Sequence, residues 1–182
     1  MPTAKSIVTQ LLPSSASSDT QLISEIAAMV NRVYAVAEKG MWTEAAKRTS
    51  EIEIARLIVE GELAIARMDG RLVGSIHIRN LDSTIAEFGM LAAQPDCRGL
   101  GVGRELVSFA EELSRSRGRG VMQLELLVPK EWELESKVFL KDWYVRRGYK
   151  VVGQGNINET RPYLAHLLPT ICDFYIYHKK LT

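Results

Sequence analysis

The fold of this chain is decided by the stretch Gln94-Pro95-Asp96-Cys97-Arg98-Gly99-Leu100-Gly101-Val102-Gly103-Arg104. It joins a strand-like segment at residues 84–93 to a helical pattern at residues 102–117. Three alternate glycines let the backbone approach a ligand closely. A helix that begins there offers unpaired N–H groups and the positive end of its dipole. The stretch therefore predicts a pyrophosphate cradle, to which Arg98 and Arg104 add positive charge.

The pattern on either side of this stretch predicts one mixed α/β domain over residues 1–182. The composition, 46% hydrophobic and 25% charged, is that of an ordinary globular domain. Helices are predicted at residues 20–39, from Ser50 to Gly61, and at residues 102–117 and 136–147. Strands are predicted at residues 7–12, 63–68, 72–78, 84–93, 121–128, 149–152 and 171–177. Asp69-Gly70 supplies the tight turn of a hairpin.

Three local features of this pattern are specific enough to be checked. Ser136 is predicted to cap the last helix, which Gly148 closes. The face of the helix at 102–117 that is predicted to contact water contains Glu105, Glu111, Glu112 and Arg115. Residues 153–169 form a connection longer than a hairpin needs, and loops of that length are often functional or mobile.

Composition excludes several classes of function. A formal charge of +1 without a basic stripe argues against binding of nucleic acid. Cys97 and Cys172 cannot build a disulfide framework, and the three histidines have no metal-ligand spacing, so no metal is expected. No apolar run approaches the ~20 residues of a membrane span, and residues 1–5 show no secretory signal. We expect a cytoplasmic protein with no membrane partner.

Two familiar phosphate cradles do not match this stretch. A Walker loop ends in Gly-Lys-Ser/Thr, whereas Gly103 is followed by Arg104-Glu105. A dinucleotide fingerprint has the spacing Gly-x-Gly-x-x-Gly, whereas Gly99, Gly101 and Gly103 alternate. A nucleotide-phosphate enzyme of another fold with the same cradle stays an open alternative.

The motif Arg98-x-x-Gly101-x-Gly103, preceded by Leu91-Ala92-Ala93-Gln94-Pro95, resembles the signature loop of the GNAT superfamily of acyl-CoA-dependent N-acyltransferases. A second motif, Tyr144-Val145-Arg146-Arg147-Gly148-Tyr149, is similar to the family's Tyr-x-x-x-Gly-Phe pattern. The order of elements over about residues 5–180 also resembles the family's. Two motifs in this order are much more specific than either alone.

The resemblance implies a GNAT fold: a twisted, mostly antiparallel sheet of six to seven strands, flanked by about four helices. The strand before the cradle and the strand after its helix should run parallel and splay apart at the CoA cleft. The implied activity is transfer of an acetyl group from acetyl-CoA to a primary amine by direct attack in a ternary complex. The acceptor would be a small-molecule or peptide amine, and homodimers are common in the superfamily. The alternative is a CoA-binding regulatory or degenerate module without acyl transfer.

The resemblance also implies which residues bind the coenzyme. The signature strand would contact the pantetheine and the acyl carbonyl through Leu91, Ala92 and Ala93. The phosphates would lie on the main-chain amides of Arg98, Gly99, Leu100, Gly101, Val102, Gly103 and Arg104. Many family members have an asparagine where this chain has Lys137. Lys137 therefore reaches a CoA phosphate or is a solvated residue at the helix start.

Two residues are implied in proton transfer. Tyr144 matches the family position that often protonates the departing thiolate, and a phenol and a thiol have sufficiently close pKa values for that transfer. Glu87 is the candidate base, because a lone carboxylate is costly to bury in an apolar strand. It also resembles the strand glutamate of histone-acetylating members. Alternation puts Glu87 on the face of Gly89, Leu91 and Ala93 unless a bulge intervenes.

The acceptor side is the part that the sequence specifies least. Glu125, inside a second apolar strand, is a candidate for orienting the substrate. The residues expected to border this side are Trp42, Arg48, Arg161, Tyr163 and His166. His166 is an alternative base. The identity of the amine, and whether Glu87, Glu125 or water removes its proton, stay open.

Overall fold

A computed structural model describes residues 6–182 and shows a seven-stranded sheet with helices on both faces. The strands are β1 (Ile7–Leu11), β2 (Leu63–Met68), β3 (Arg71–Asn80), β4 (Ile85–Ala93), β5 (Val121–Pro129), β6 (Lys150–Gln154) and β7 (Cys172–Lys180). Their order is β1-β2-β3-β4-β5-β7-β6. All neighbours are antiparallel except β4 and β5, which are parallel. The predicted mixed α/β fold with a mostly antiparallel sheet is confirmed. The prediction made for residues 1–5 falls outside the described part of the chain.

The longer helices form close to where the sequence predicts them. They are α1 (Thr20–Ala37), α2 (Glu51–Val59), α3 (Val102–Ser116) and α4 (Glu135–Arg146). The side chains of Asp19 and Ser50 cap α1 and α2 by accepting a hydrogen bond from the third amide of each helix, that of Leu22 and of Glu53. The connection predicted at residues 153–169 contains the end of β6 and two single-turn helices, α5 (Ile157–Thr160) and α6 (Pro162–Ala165).

The predicted capping role of Ser136 is wrong. No side chain caps the start of α4, and the Ser136 hydroxyl donates instead to the carbonyl of Ala37 at the end of α1. Gly148 does follow α4 in the left-handed conformation, with φ of 93°. Ser136 therefore fastens α4 to α1 across the molecule, a contact between residues far apart in the sequence.

The prediction that Glu111 faces water is also wrong. Glu111 is buried on the inner side of α3, where its carboxylate accepts a hydrogen bond from the Tyr149 hydroxyl at 2.8 Å and one from Lys179 Nζ at 2.9 Å. A buried carboxylate is tolerated when it is paired in this way. Both partners lie far along the chain, so the pattern of α3 alone does not reveal them.

The parallel pair β4–β5 is short. Hydrogen-bonded pairing covers only residues 85–87 of β4 and 121–123 of β5. Beyond Glu87, β4 continues along β3 as far as Ala93, and β5 continues along β7 as far as Pro129. The two strands therefore splay apart, as predicted, and leave a wedge-shaped opening in the middle of the sheet.

A β-bulge at Met90 reverses the faces of β4. Met90 has φ of 48°, and the pairing of β4 with β3 shifts by one residue at this point. Phe88 belongs to the core layer under α3, whereas Met90 belongs to the layer under α1 and α2. Leu91 packs against the α3 layer. Glu87 therefore does not share a face with Leu91, because the bulge lies between them.

The close approach of α3 to β3 depends on Gly74. A Cβ atom at this position would lie 2.8 Å from the Ala92 carbonyl oxygen and 2.8 Å from side-chain atoms of Val102 and Leu106. We expect Gly74→Ala to lower the free energy of unfolding by about 1–3 kcal/mol, because backbone or α3 must move to admit the methyl group. Urea denaturation measures the change.

Gly120→Ala is the matched control for this substitution. A Cβ at Gly120 meets no atom within 4 Å, so this variant should stay within about 0.5 kcal/mol of the wild type. Equal stabilities for the two variants would show that α3 does not pack against β3 as described.

Candidate functional site

The turn between β4 and α3 presents a set of unoccupied main-chain donors. Among the hydrogen bonds of residues 6–182, none is donated by the amides of Gly99, Gly101, Val102, Gly103 and Arg104. Gly99 and Gly101 have φ of 81° and 88°, values that residues other than glycine rarely adopt. These five N–H groups lie in one turn at the positive end of α3 and suit an anion with several oxygens.

Two of the seven predicted amides are not free. The amide of Arg98 donates to the carbonyl oxygen of Pro95 at 3.2 Å, and the amide of Leu100 donates to that of Cys97 at 3.1 Å. These bonds hold the turn in shape. The prediction that every amide from Arg98 to Arg104 is available is therefore wrong for Arg98 and Leu100.

The side chains of the cradle add two exposed cations. Arg98 is exposed, and Arg104 lies 3.2 Å from the neighbouring Glu105 carboxylate. The next element beside the cradle is α4, since a Cβ at Gly103 would contact the Trp143 ring at 3.8 Å. The following residue, Tyr144, lines a cavity in the opening between β4 and β5. The anion site and the cavity therefore meet at α4.

The cavity has a volume of about 470 Å³ and occupies the opening between the two splayed strands. Its walls are residues 87–91 of β4 and 124–127 of β5, with the ends of α1 and α4. Of the three predicted strand residues, Leu91 lines the cavity, Ala92 is buried in the layer under α1, and Ala93 leads into the cradle. The edge of β4 that faces the cavity has no strand beside it after Glu87.

Tyr144 is buried at the α4 wall of the cavity. Its ring packs against those of Trp143, Tyr149 and Phe88, with centroids 5.1, 5.8 and 6.0 Å away. Within the described chain, its hydroxyl makes no hydrogen bond to another residue. Burial raises the pKa of the Tyr144 phenol well above its ordinary value. The phenol therefore stays protonated at neutral pH and offers one O–H donor to the cavity.

Glu87 is 4% exposed, and both of its oxygens are engaged. Arg79 donates to Oε1 from Nε at 3.0 Å and from Nη2 at 2.7 Å. Gln123, opposite Glu87 in the parallel pair, donates to Oε2 at 2.8 Å. The structure thus brings the predicted base to the cavity wall but gives it three hydrogen bonds from the protein itself.

Glu125 lies on the same cavity wall with one oxygen unoccupied. Its Oε2 accepts a hydrogen bond from Arg161 Nη2 at 2.8 Å, and no described residue donates to Oε1. The side chain is 12% exposed. Burial, followed by the negative charge of Glu87, raises the pKa of the Glu125 carboxyl group above its usual value. Such a group can take up a proton more readily than an ordinary glutamate.

Lys137 is 4% exposed, which contradicts the prediction of a solvated lysine. Its ammonium donates to Oε1 of Glu38, at the end of α1, and Trp42 Nε1 donates to the other oxygen of Glu38 at 2.6 Å. A contact between Lys137 and a phosphate would require this ion pair to open. The sequence could not reveal the pair, because Glu38 lies 99 residues away.

Two segments, residues 38–48 and residues 157–170 with α5 and α6, contact each other beside the cavity. Residues 38–48 contact the segment of α5 and α6 through Thr43 N and the Leu167 carbonyl at 2.9 Å, and through the Thr170 hydroxyl and the Met41 carbonyl at 2.8 Å. Trp42, Arg48 and Arg161 line the cavity as predicted. Tyr163 and His166 are exposed and lie outside its lining. The alternative of His166 as a base is therefore not supported.

Other kinds of site find no support in the described structure. Residues 6–182 contain no group of three His, Cys, Asp or Glu side chains arranged to hold a metal ion. In the same range, every helix is too short or too polar to span a bilayer.

Comparison with protein families identifies one match. The model of the acetyltransferase (GNAT) family matches residues 28–131 of this chain. This segment runs from α1 through the cradle to the end of β5. Among curated proteins, no sequence matches.

Solved structures share the fold at low sequence identity. PaiA N-acetyltransferase from Thermoplasma acidophilum, in complex with coenzyme A, has a TM-score of 0.68 and 19% identity over 96% of this chain and 99% of its own. Ard1 from Thermoplasma volcanium has a TM-score of 0.65 and 15% identity over 97% and 98%. N-acetylglutamate synthase from Neisseria gonorrhoeae, complexed with coenzyme A and N-acetyl-glutamate, has a TM-score of 0.66 and 19% identity over 97% of this chain. This chain spans only 35% of that synthase.

The buried ion pair on the cavity wall gives a test of this geometry. Lys137→Met should lower the free energy of unfolding by about 3–5 kcal/mol, because it leaves the Glu38 carboxylate buried without its cation. The double variant Lys137→Met, Glu38→Gln should regain most of this loss, since the remaining amide still accepts the bond from Trp42. Denaturation of the two variants and the wild type measures the cycle. Equal losses in the single and double variants would contradict the pairing.

Proposed function

This chain belongs to the acetyltransferase (GNAT) family, and on that premise we propose that it transfers an acetyl group from acetyl-CoA to a primary amine. Family membership makes the protein an acyltransferase. The observation that carries the finer proposal is the row of free amides between β4 and α3. A diphosphate satisfies these donors, and the adjoining cavity has room for an acyl group and a small acceptor.

Coenzyme A would extend from the cradle, which binds its diphosphate, into the cavity, which holds its acyl end. The amides of Gly99, Gly101, Val102, Gly103 and Arg104 would hold its diphosphate, with Arg98 and Arg104 adding charge. The open edge of β4 at Leu91 offers main-chain groups to the pantetheine arm and the acyl carbonyl. The thioester supplies an activated acyl group, so that a bond from the amine nitrogen to the carbonyl carbon forms while the carbon–sulfur bond breaks.

The chain's own residues move the protons of this exchange. An alkylammonium has a pKa near ~10, so the acceptor must lose a proton before it attacks. Glu125 is the better placed of the two carboxylates to accept it, since its Oε1 is free and the pKa of its carboxyl group is raised. Glu87 then acts as a positioning residue, whose negative charge contributes to that raised pKa.

Tyr144 is proposed to donate to the sulfur that leaves. Its hydroxyl is free, lies on the cavity wall and stays protonated at neutral pH. Because its pKa is raised, the phenol hydrogen-bonds to the developing thiolate more readily than it gives up its proton completely. As the products separate, the thiolate takes up a proton from solvent, and Glu125 releases to solvent the proton that it took from the amine, so that Tyr144 and Glu125 return to their starting states.

A thiol-release assay with acetyl-CoA and a panel of amines tests the activity, and Glu125→Gln tests the proton acceptor. In the wild type, kcat/KM should rise with pH through the raised pKa of Glu125, because only the ionised carboxylate can accept a proton. At pH 7 the variant should be about 100-fold slower. The difference should shrink above pH 10, where most of the amine is deprotonated in solution.

Glu87→Gln is the matched variant. Removing its negative charge should move the acidic limb of the wild-type profile to lower pH, since Glu87 raises the pKa of Glu125. A profile unchanged in both variants would contradict the assignment of the base. CoA binding without thiol release from any amine would instead favour the binding module without transfer activity.

A substitution in the cradle tests the binding of CoA. Gly103→Pro removes one free amide in the first turn of α3, where proline does not break a helical hydrogen bond. We expect the Kd for CoA, measured by isothermal titration calorimetry, to rise at least about tenfold, the effect of one lost bond to a charged group. Gly103→Ala keeps the amide and adds a methyl group, whose nearest protein neighbour is Trp143 at 3.8 Å, so its Kd measures the steric effect alone and should rise less than that of Gly103→Pro. Equal affinities in the two variants would contradict a contact at this amide.

A further inference from the structure

We propose that the acceptor amine also carries a carboxylate, and that Arg48 binds this group. The inference rests on the proposed function and concerns the substrate class of the same cavity. Among the partly or fully buried charged side chains that the structure describes around the cavity, Arg48 has no carboxylate partner.

The charged side chains around the cavity that are at least partly buried are paired, with one exception; Lys39, Glu44 and Lys47, which also line the cavity, are exposed. Lys137 is paired with Glu38, Arg161 with Glu125, and Arg79 with Glu87. Arg48 also lines the cavity and is only partly exposed, yet within residues 6–182 no carboxylate lies within 4 Å of its guanidinium. Its charge is therefore available to a ligand.

Neighbouring residues hold Arg48 in position. Its Cζ atom lies 5.1 Å from the centroid of the Tyr34 ring, which is a cation–π contact. The same guanidinium, through its charge and a hydrogen bond, opposes the rise that burial causes in the pKa of Tyr34. Glu62 does not take the place of a ligand, because it contacts His77 at 2.7 Å and does not line the cavity.

A cavity that contains both the Arg48 guanidinium and the Glu125 carboxylate favours a ligand with one negative and one positive group. The planar array of donors of the guanidinium matches the two oxygens of a carboxylate. The free oxygen of Glu125, on the β5 wall of the same cavity, would bind the ammonium group. A polyamine with positive charge at both ends would be repelled by Arg48, so this arrangement disfavours it.

The size and closure of the cavity favour a small acceptor. Its volume of about 470 Å³ must also contain the acyl end of the donor. Residues 38–48 and the segment of α5 and α6 are joined above it by Thr43 and Thr170. A free amino acid fits within this space, whereas a protein substrate would have to insert a lysine side chain past residues 38–48 and the segment of α5 and α6.

The test compares acceptors that differ only in the carboxylate. With acetyl-CoA as donor, kcat/KM is measured by thiol release for L-amino acids and 4-aminobutyrate and for the matching carboxamides. In the wild type, at least one acid should exceed its amide by about 10- to 100-fold, the effect of a charge-assisted hydrogen bond. In Arg48→Met the ratio of acid to amide should fall to about one. In Arg117→Met, which removes an exposed arginine at the end of α3 outside the cavity lining, the ratio should persist.

The outcomes separate the two proposals. Turnover with a preference for amides, or a ratio unchanged in Arg48→Met, would overturn the assignment of Arg48 while leaving the proposed function intact. If no acceptor releases thiol, the proposed function fails. Calorimetry of the CoA-loaded protein with the N-acetylated acids and amides then decides the carboxylate site separately. Tighter binding of the acids, lost in Arg48→Met, supports it, and equal binding overturns it.

Discussion

Two parallel strands that hydrogen-bond for only three residues set the conditions for everything else in this molecule. After residues 85–87 and 121–123, β4 and β5 separate, and each continues along a different antiparallel neighbour. The backbone groups on the facing edges lose their partners, although buried main-chain donors and acceptors need them. A ligand that enters the gap with polar groups of its own satisfies this edge. The site is thus a consequence of strand pairing that stops early.

The walls of the gap are held apart by groups that would be costly to bury alone. The Lys137–Glu38 pair and the Ser136–Ala37 contact connect α4 to α1 across the opening, and Glu87 is fixed by Arg79 and Gln123. These groups are satisfied by the protein itself. In the described part of the chain, the five free amides of the cradle, the Tyr144 hydroxyl and one oxygen of Glu125 have no such polar partner, and the Arg48 guanidinium has no carboxylate partner; these are the groups that we propose bind the ligand. Polar groups with a structural role therefore have a partner within the protein, and those proposed to bind ligand do not.

Features that depend on neighbouring residues could be predicted from the sequence, and features that depend on distant ones could not. The cradle, the Asp69-Gly70 turn and the helix starts at Asp19 and Ser50 follow from local chemistry. The burial of Glu111 depends on residues 38 and 68 positions away. The partner of Lys137 lies 99 residues from it in the chain. The bulge at Met90 changes which face every later residue of β4 occupies, and Gly89 before it is compatible with a bulge but does not fix its position. The base is another example. The sequence favours Glu87, but Arg79 and Gln123 on neighbouring strands occupy both of its oxygens, so our proposal is Glu125.

The proposed binding of coenzyme A depends most directly on the free amides at the start of α3. In a two-dimensional ¹H–¹⁵N spectrum of the labelled protein, addition of CoA should shift the amide signals of Gly99, Gly101, Val102, Gly103 and Arg104 downfield and slow their exchange with solvent. The amides of Arg98 and Leu100, which donate within the turn, should move less. Bound CoA that leaves the five signals unperturbed, or no binding at concentrations far above those of a cell, would contradict the central claim.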